Sequence, residues 1–545
     1  MTEVQKFSQQ VRTLIDELKS VCGNYGLGND GNEFKIITQI FLYKFLYDKF
    51  AYEVKQVDNK IRLANEWENQ LKAYSADEFE LLTMKLREGT AVIKPEQFIS
   101  SLFSRQNEGN FADIFDKTLL DIARENNNVF SVVTGGGEKI ALFENLSKYV
   151  SDNRDDFCKA IVNKLVGFSF ESIFDEGFDF FASIFEYLIK DYNSDSGGKY
   201  AEYFTPHSVS GIIAKCLVSD NQKGIISNVS CYDPSAGSGT LLMNLAHQIG
   251  EDKCTIYSQD ISQKSSNLLR LNLILNKLVH SIPNVVQGNT LVTPAHKNGN
   301  SELATFDYVV ANPPFKLDFS DFKDELDKKK NSDRFFAGIP NVPPKKKEAM
   351  AIYLVFLQHI IFSLKPEGKA AVVVPTGFIT SQSGIDKKVR QKLVDDKMLR
   401  GVISMPSNIF ATTGTNVSIL FIDKANKEDV VLIDASSLGE IVKEGKNQKT
   451  LLSKTDEAQI IDTFNDKKVI DDFSVLVNYD DIQAKNYSFS AGQFFDIKID
   501  YEDMTAVEFK DKVKAASSRL NKFSRQSDEI KKEIDKKLTN LYYDI

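Results

Sequence analysis

Tyr308-Val-Val-Ala-Asn-Pro-Pro-Phe315 is an apolar run that stops at an amide, two prolines and an aromatic ring. Such a run, bounded by turn residues, reads as a strand buried on both faces, as in a parallel sheet. Proline has no N–H to give to a ladder, so the chain must leave the sheet at Pro313. Asn312 is thereby set at a strand's carboxyl end, where open α/β sheets hold their ligands.

The same arrangement recurs on the N-terminal side. Val229-Ser-Cys-Tyr-Asp-Pro-Ser-Ala-Gly-Ser-Gly-Thr240 reads as a strand ending at Asp233. A turn containing Ser235, Gly237 and Gly239 follows, and a helix begins near Thr240. Glycines there let the backbone approach a ligand closely. Leu242 stands where a third glycine would complete the dinucleotide fingerprint, which disfavours a dehydrogenase. The next strand, Cys254-Thr-Ile-Tyr-Ser-Gln-Asp260, ends in an acid about twenty residues further on, the position that takes ribose hydroxyls in nucleoside-binding sheets. A helix is expected over 267–278. Val285-Val-Gln-Gly-Asn-Thr-Leu291 then reads as a third strand and turn, with Asn289 at the strand's end, set to bond an adenine edge. Strands alternating with helices predict a doubly wound, Rossmann-like α/β sheet. Asp233, Asp260, Asn289 and Asn312 would share one rim of it.

That rim suits transfer to a planar amine. An exocyclic –NH2 has its lone pair delocalised into a π-system and is a poor nucleophile. Two acceptors aimed at its two N–H bonds, the Asn312 side-chain oxygen and the Pro313 carbonyl, would draw it toward tetrahedral geometry. Phe315 would hold the flat group by stacking. The competing reading of these residues is a strand end with a Pro-Pro turn. Adenine N6, cytosine N4 and a glutamine side chain all present the same two hydrogens, and a non-catalytic scaffold with a relic fold stays open beside them.

Residues 1–165 read as a helical domain. Gly135-Gly-Gly is a break, and the apolar residues at 34–47 surround most of a helix. A Ser/Asp/Gly loop at 193–198 precedes Thr205 and Pro206, which read as the N-cap and first residue of a helix running to about 218. After Phe315 comes a polar excursion, 316–347, with Lys328-Lys-Lys, Arg334 and Lys345-Lys-Lys among Phe319, Phe322, Phe335 and Phe336. It suits phosphate contact and base stacking, or equally a solvated charged loop. Further strands are expected near 369–375, 399–405, 418–423 and 429–433, within a catalytic domain spanning 166–500. The last segment, 501–545, reads as a charged helical arm whose apolar residues fall loosely into heptads, suited to a partner.

Composition bounds the class. The 545 residues are 42% hydrophobic and 26% charged, ordinary for a globular protein. A net charge of −9 means that any nucleic-acid contact is local or lent by a partner. Five cysteines, none in a Cys-x-x-Cys pair, and five scattered histidines point to free thiols in a reducing cytoplasm, with no metal site. No stretch reads as a membrane span, and no Walker-type phosphate loop marks a motor.

With these residues placed, the chain resembles the modification subunits of type I restriction–modification systems, which are adenine-N6 DNA methyltransferases. The resemblance is carried by Gly198-Lys-Tyr-Ala-Glu-Tyr-Phe-Thr-Pro206, Asp233-Pro-Ser-Ala-Gly-Ser-Gly239, Asp260 and Asn312-Pro-Pro-Phe315. It implies S-adenosylmethionine as cofactor. Tyr203, Phe204, Thr205 and Pro206, with Asp233, Ser235, Gly237, Gly239 and Thr240, would form its pocket, with the ribose on Asp260. Family members often carry Asp where Asn289 stands. It also implies partners: DNA with a flipped adenine, one specificity subunit for two copies of this chain, and in some assemblies a motor–nuclease subunit.

Overall fold

The apolar runs and the breaks between them build one large mixed sheet. In chain order the strands are β1 (Val132–Thr134), β2 (Lys139–Ile140), β3 (Val229–Asp233), β4 (Cys254–Asp260), β5 (Val285–Gln287), β6 (Phe306–Ala311), β7 (Leu364–Pro375), β8 (Leu399–Ser404), β9 (Val417–Asp423), β10 (Val430–Asp434), β11 (Glu440–Glu444), β12 (Asn447–Leu451) and β13 (Ser474–Val477). The computed structural model describes residues 3–28, 31–174, 183–188, 205–300, 302–410, 416–444, 447–495 and 504–541. The segment carrying Tyr203 and Phe204, and residues 411–415 of the loop between β8 and β9, lie outside the described residues.

Among the described residues the sheet has eleven strands in the order β13-β10-β8-β9-β7-β6-β3-β4-β5-β1-β2, with β11 and β12 pairing separately. Its centre, β5-β4-β3-β6-β7, is parallel throughout. β9 runs antiparallel to both β7 and β8. The chain moves outward from β3 to β5 and then returns to lay β6 on the other side of β3. The topological switch point, where open sheets leave a crevice, therefore lies between β3 and β6.

Burial explains the strand sequences. The four residues of β6 after Asp307 and the first six of β9 are nearly all inaccessible, as strands covered on both faces require. Helices Thr240–Ile249 and Gln263–Leu275 link β3 to β4 and β4 to β5. The second starts earlier than the apolar pattern suggests, because Ser262 caps it through its hydroxyl, accepting from the Ser265 amide at 3.2 Å.

The N-terminal region is mainly helical, and helix Gly31–Val57 is buried around most of its circumference. It also contributes β1 and β2, joined through the Gly135-Gly-Gly turn, to the edge of the main sheet, with β1 parallel to β5. Buried Arg270 fastens the same junction. It donates to the carbonyls of Ile140 at 3.1 Å, Ala141 at 3.0 Å and Leu142 at 3.4 Å. Residues 1–494 form one compact unit and 495–545 a second. Within the second, Ala506–Leu541 is a single 36-residue helix. Among the described residues no helix is long and apolar enough to cross a membrane.

Candidate active site

Four strand ends meet along the carboxyl rim. Asp233 and Asp260 are the last residues of β3 and β4, Asn312 follows β6 directly, and Asn289 lies two residues beyond β5. All four line one cavity at the switch point, together with Thr205, Ser235, Thr240, Ile261, Pro314 and Lys316.

The turn after β3 is shaped by its glycines. Gly237 and Gly239 both have positive φ, 52° and 81°. A Cβ on Gly239 would sit 2.1 Å from Leu269 Cδ1, so the position has neither the backbone freedom nor the space for a side chain. The Gly237 amide donates to Asp260 Oδ2 at 3.0 Å, and the Ser262 amide donates to Oδ1 at 2.8 Å. The Asp260 carboxylate is thus clamped between the Gly-rich turn and its own helix start.

Asp233 is buried and takes the Ser235 amide at 2.9 Å. Burial, with the negative charge of Asp260 adding to it, pushes its carboxyl up to about 8 against the opposing bond from Ser235. Burial also raises Asp260. Neither acid forms an ion pair among the described residues. Two buried carboxyls in one cleft, neither paired with a cation among the described residues, fit a ligand that carries positive charge and a sugar diol.

Asn289 lines the cavity, but its side-chain oxygen accepts from the Leu291 and Val292 amides at 3.0 and 3.2 Å. That leaves its NH2 as the group available to an adenine ring.

At the other wall, Asn312 is half-buried and its Nδ2 donates to Thr205 Oγ1 at 3.2 Å. The donor end of the amide is thereby turned away and the acceptor end is left for a ligand. Thr205 does not cap the following helix as its sequence suggests. The cap falls one residue later, at Pro206, and helix His207–Leu217 follows. Pro206 itself is outside the cavity lining, as are Gly237, Gly239, Pro313 and Phe315. Phe315 is half-buried and meets Tyr353 edge-on at 6.3 Å, and Tyr353 is fixed through its hydroxyl to Asp386 at 2.6 Å.

The excursion after Phe315 departs from the reading of a solvated charged loop. Phe319, Phe335, Leu326 and Ile339 are buried with Met350, Ile352 and Phe356 in a small core of their own. Phe322 and Leu317 face the cavity, so the segment walls it. Arg334, one of the cations expected for phosphate, is buried. It donates to Leu291 O at 2.7 Å, Thr290 O at 2.9 Å and His359 Nδ1 at 3.0 Å. His359, kept neutral by burial and by the Arg334 charge, passes the network to the Tyr232 hydroxyl at 3.2 Å. Sequence reading did not separate Arg334 from its neighbours. The available signal was a cation set directly against Phe335 and Phe336 in a segment where most other cations come in runs. The lysine runs Lys328-Lys-Lys and Lys345-Lys-Lys are exposed, and Glu325 already pairs with Lys328 and Lys330.

Residues 176–503 match the family model described as N-6 DNA methylase. Over 496 residues the chain is 28% identical to the methylase subunit of the type I restriction enzyme MpnII of Mycoplasma pneumoniae, spanning 87% of this chain and 88% of that one. Over 375 residues it is 24% identical to the MjaIX methylase subunit of Methanocaldococcus jannaschii, spanning 65% and 62%. In fold it resembles the type I restriction–modification methyltransferase subunit of Streptococcus thermophilus, with a TM-score of 0.71 and 20% identity over 90% of this chain and all of that one.

Proposed function

The chain belongs to the N-6 DNA methylase family, and we infer that it serves as the modification subunit of a type I restriction–modification complex. It transfers the methyl group of S-adenosylmethionine to N6 of adenine in DNA. The observation that carries the assignment of its site is one cavity bounded by both Asp260 and Asn312, on either side of the switch point.

In this reading Asp260 takes the ribose hydroxyls. Asp233, Ser235, Gly237, Gly239 and Thr240, with Tyr203 through Pro206, surround the methionine part, and Asn289 meets the adenine ring. When bound, S-adenosylmethionine supplies an electrophilic methyl group on a positively charged sulfur. The target base must leave the duplex, since a stacked adenine hides its N6 from the rim. Phe315 holds the extruded ring. The Asn312 oxygen and the Pro313 carbonyl accept the two amine hydrogens and localise the nitrogen lone pair. The chain's contribution is positioning and fixed dipoles.

DNA, a specificity subunit bound by two copies of this chain, and in some assemblies a motor–nuclease subunit are the proposed partners. Helix Ala506–Leu541 is the proposed contact arm, and the cytoplasm the proposed location. The working division is 1–165 helical, 166–500 catalytic and 501–545 arm.

The test is Asn312→Ala in the complex with its specificity subunit, given cognate DNA and tritiated cofactor. The expected result is loss of DNA labelling by about 100–1000-fold, with cofactor affinity by calorimetry within a few-fold of wild type. Labelling at the wild-type rate rejects Asn312 as the amine acceptor. Label found in protein rather than DNA rejects the substrate.

A further inference from the structure

We propose that Thr205 is a positioning residue for methyl transfer: its hydroxyl fixes which end of the Asn312 amide faces the target amine. The proposal rests on Asn312 being the amine acceptor.

A primary amide has two ends of similar shape and opposite hydrogen-bonding character. Catalysis as proposed needs the oxygen toward the base, since an NH2 in that place would repel the amine's own hydrogens. Nothing in the Asn-Pro-Pro-Phe turn itself decides between the two rotamers, because each is about 180° from the other about one torsion. The deciding group comes from a remote part of the chain, 107 residues earlier. Thr205 Oγ1 accepts from Asn312 Nδ2 at 3.2 Å. Among the described residues Asn312 makes no other side-chain hydrogen bond.

Two observations argue that Thr205 is held for this purpose. It stands one residue before the N-cap, Pro206, outside the position whose hydroxyl bonds helix amides, so its oxygen is left to Asn312. Thr205 is also 5% exposed and lines the cavity, so water competes poorly for its oxygen. A hydroxyl that accepts from Asn312 still has its own proton to donate. Among the described residues that proton has no acceptor, and the cavity lies beside it. An acceptor on a bound cofactor would take the proton and keep the oxygen lone pairs for Asn312. Cofactor occupancy would thus reinforce the productive rotamer.

The test compares Thr205→Val, Thr205→Ala and Thr205→Ser in the complex with its specificity subunit and cognate DNA. Single-turnover methyl transfer is measured at saturating cofactor, and cofactor affinity separately by calorimetry. T205V and T205A are expected to slow transfer about 10–100-fold, while T205S keeps the hydroxyl and stays near the wild-type rate. The valine and alanine replacements together guard against one that fails to fold. If both transfer at the wild-type rate once cofactor saturates, with only the affinity weakened, Thr205 is a cofactor ligand alone and the proposal falls. If T205S is as slow as T205V, the hydroxyl is not the operative group and the proposal falls. A wild-type complex that labels no DNA instead defeats the methylation reading beneath it.

Discussion

Asp233 and Gly239 show how far single side chains set the site's behaviour. The Asp233 carboxyl, ordinarily near ~4, is pushed up to about 8 in the folded chain, mainly by burial. A raised folded value means the native state holds a proton that the unfolded state has released. The cofactor-free protein is therefore expected to lose stability as pH rises from about 4 through about 8. A cationic ligand reverses the preference by favouring the ionised carboxyls. Cofactor affinity should then strengthen across pH 6 to 8.5 with release of protons. Calorimetry in buffers of different ionisation enthalpy measures that release, and Asp233→Asn should diminish it. A dissociation constant that stays level over this range would contradict the assignment of the charge. Gly239→Ala tests the turn. Its positive φ and the Leu269 methyl group behind it predict a loss of about 1–3 kcal/mol, read from the denaturant midpoint, together with weaker cofactor binding.

At the scale of elements, the segment between β6 and helix Tyr353–Phe362 is the clearest departure from what its composition suggests. Its charge runs imply a solvated loop, yet its aromatics assemble a core and its buried arginine holds the carbonyls after β5. The Leu317 amide also donates to Met350 O at 3.1 Å, which closes the segment at its base. Arg334→Ala would leave Thr290 O, Leu291 O and His359 Nδ1 without their donor, at a cost of roughly 2–4 kcal/mol. The expected signature is local: faster amide hydrogen exchange over 316–350 and a weaker cofactor complex, with the helices of residues 31–57 and 154–166 unaffected. Uniformly faster exchange across residues 1–494 would mean that Arg334 supports the fold as a whole rather than this wall.

Across the molecule, the N-terminal region and the sheet are joined by backbone pairing of β1 with β5 and by Arg270, whose guanidinium lies between helix Gln263–Leu275 and the 140–142 carbonyls. Arg270→Met is expected to lower stability by about 2–4 kcal/mol and to reduce Tm without altering the DNA sequence methylated. Helix Ala506–Leu541 belongs to the separate unit and carries exposed Val513, Leu520, Phe523, Ile530, Ile534 and Leu538. Truncation after residue 503 should leave cofactor binding intact and abolish co-elution with the specificity subunit. Retained co-elution would place that contact elsewhere.

Much of this was legible in the chain because its signals are local. Apolar runs ending at Asp233, Asp260 and Asn312 set the strands, and the turn residues after them set the rim, since burial on both faces and the lack of a proline N–H act within a few residues. Their sharing one rim followed from the alternation of strands and helices, while the packed segment after Phe315 makes that rim a cavity. Other facts depend on partners far away in sequence. Thr205 meets Asn312 rather than capping its helix, and Arg334 turns inward to carbonyls more than forty residues earlier. A side chain's hydrogen-bond partner is chosen by whichever donor or acceptor the fold brings within reach, and no local pattern encodes that choice. The sequence by itself determined where the Asn312 amide stands; only the packed tertiary structure decided which way it faces.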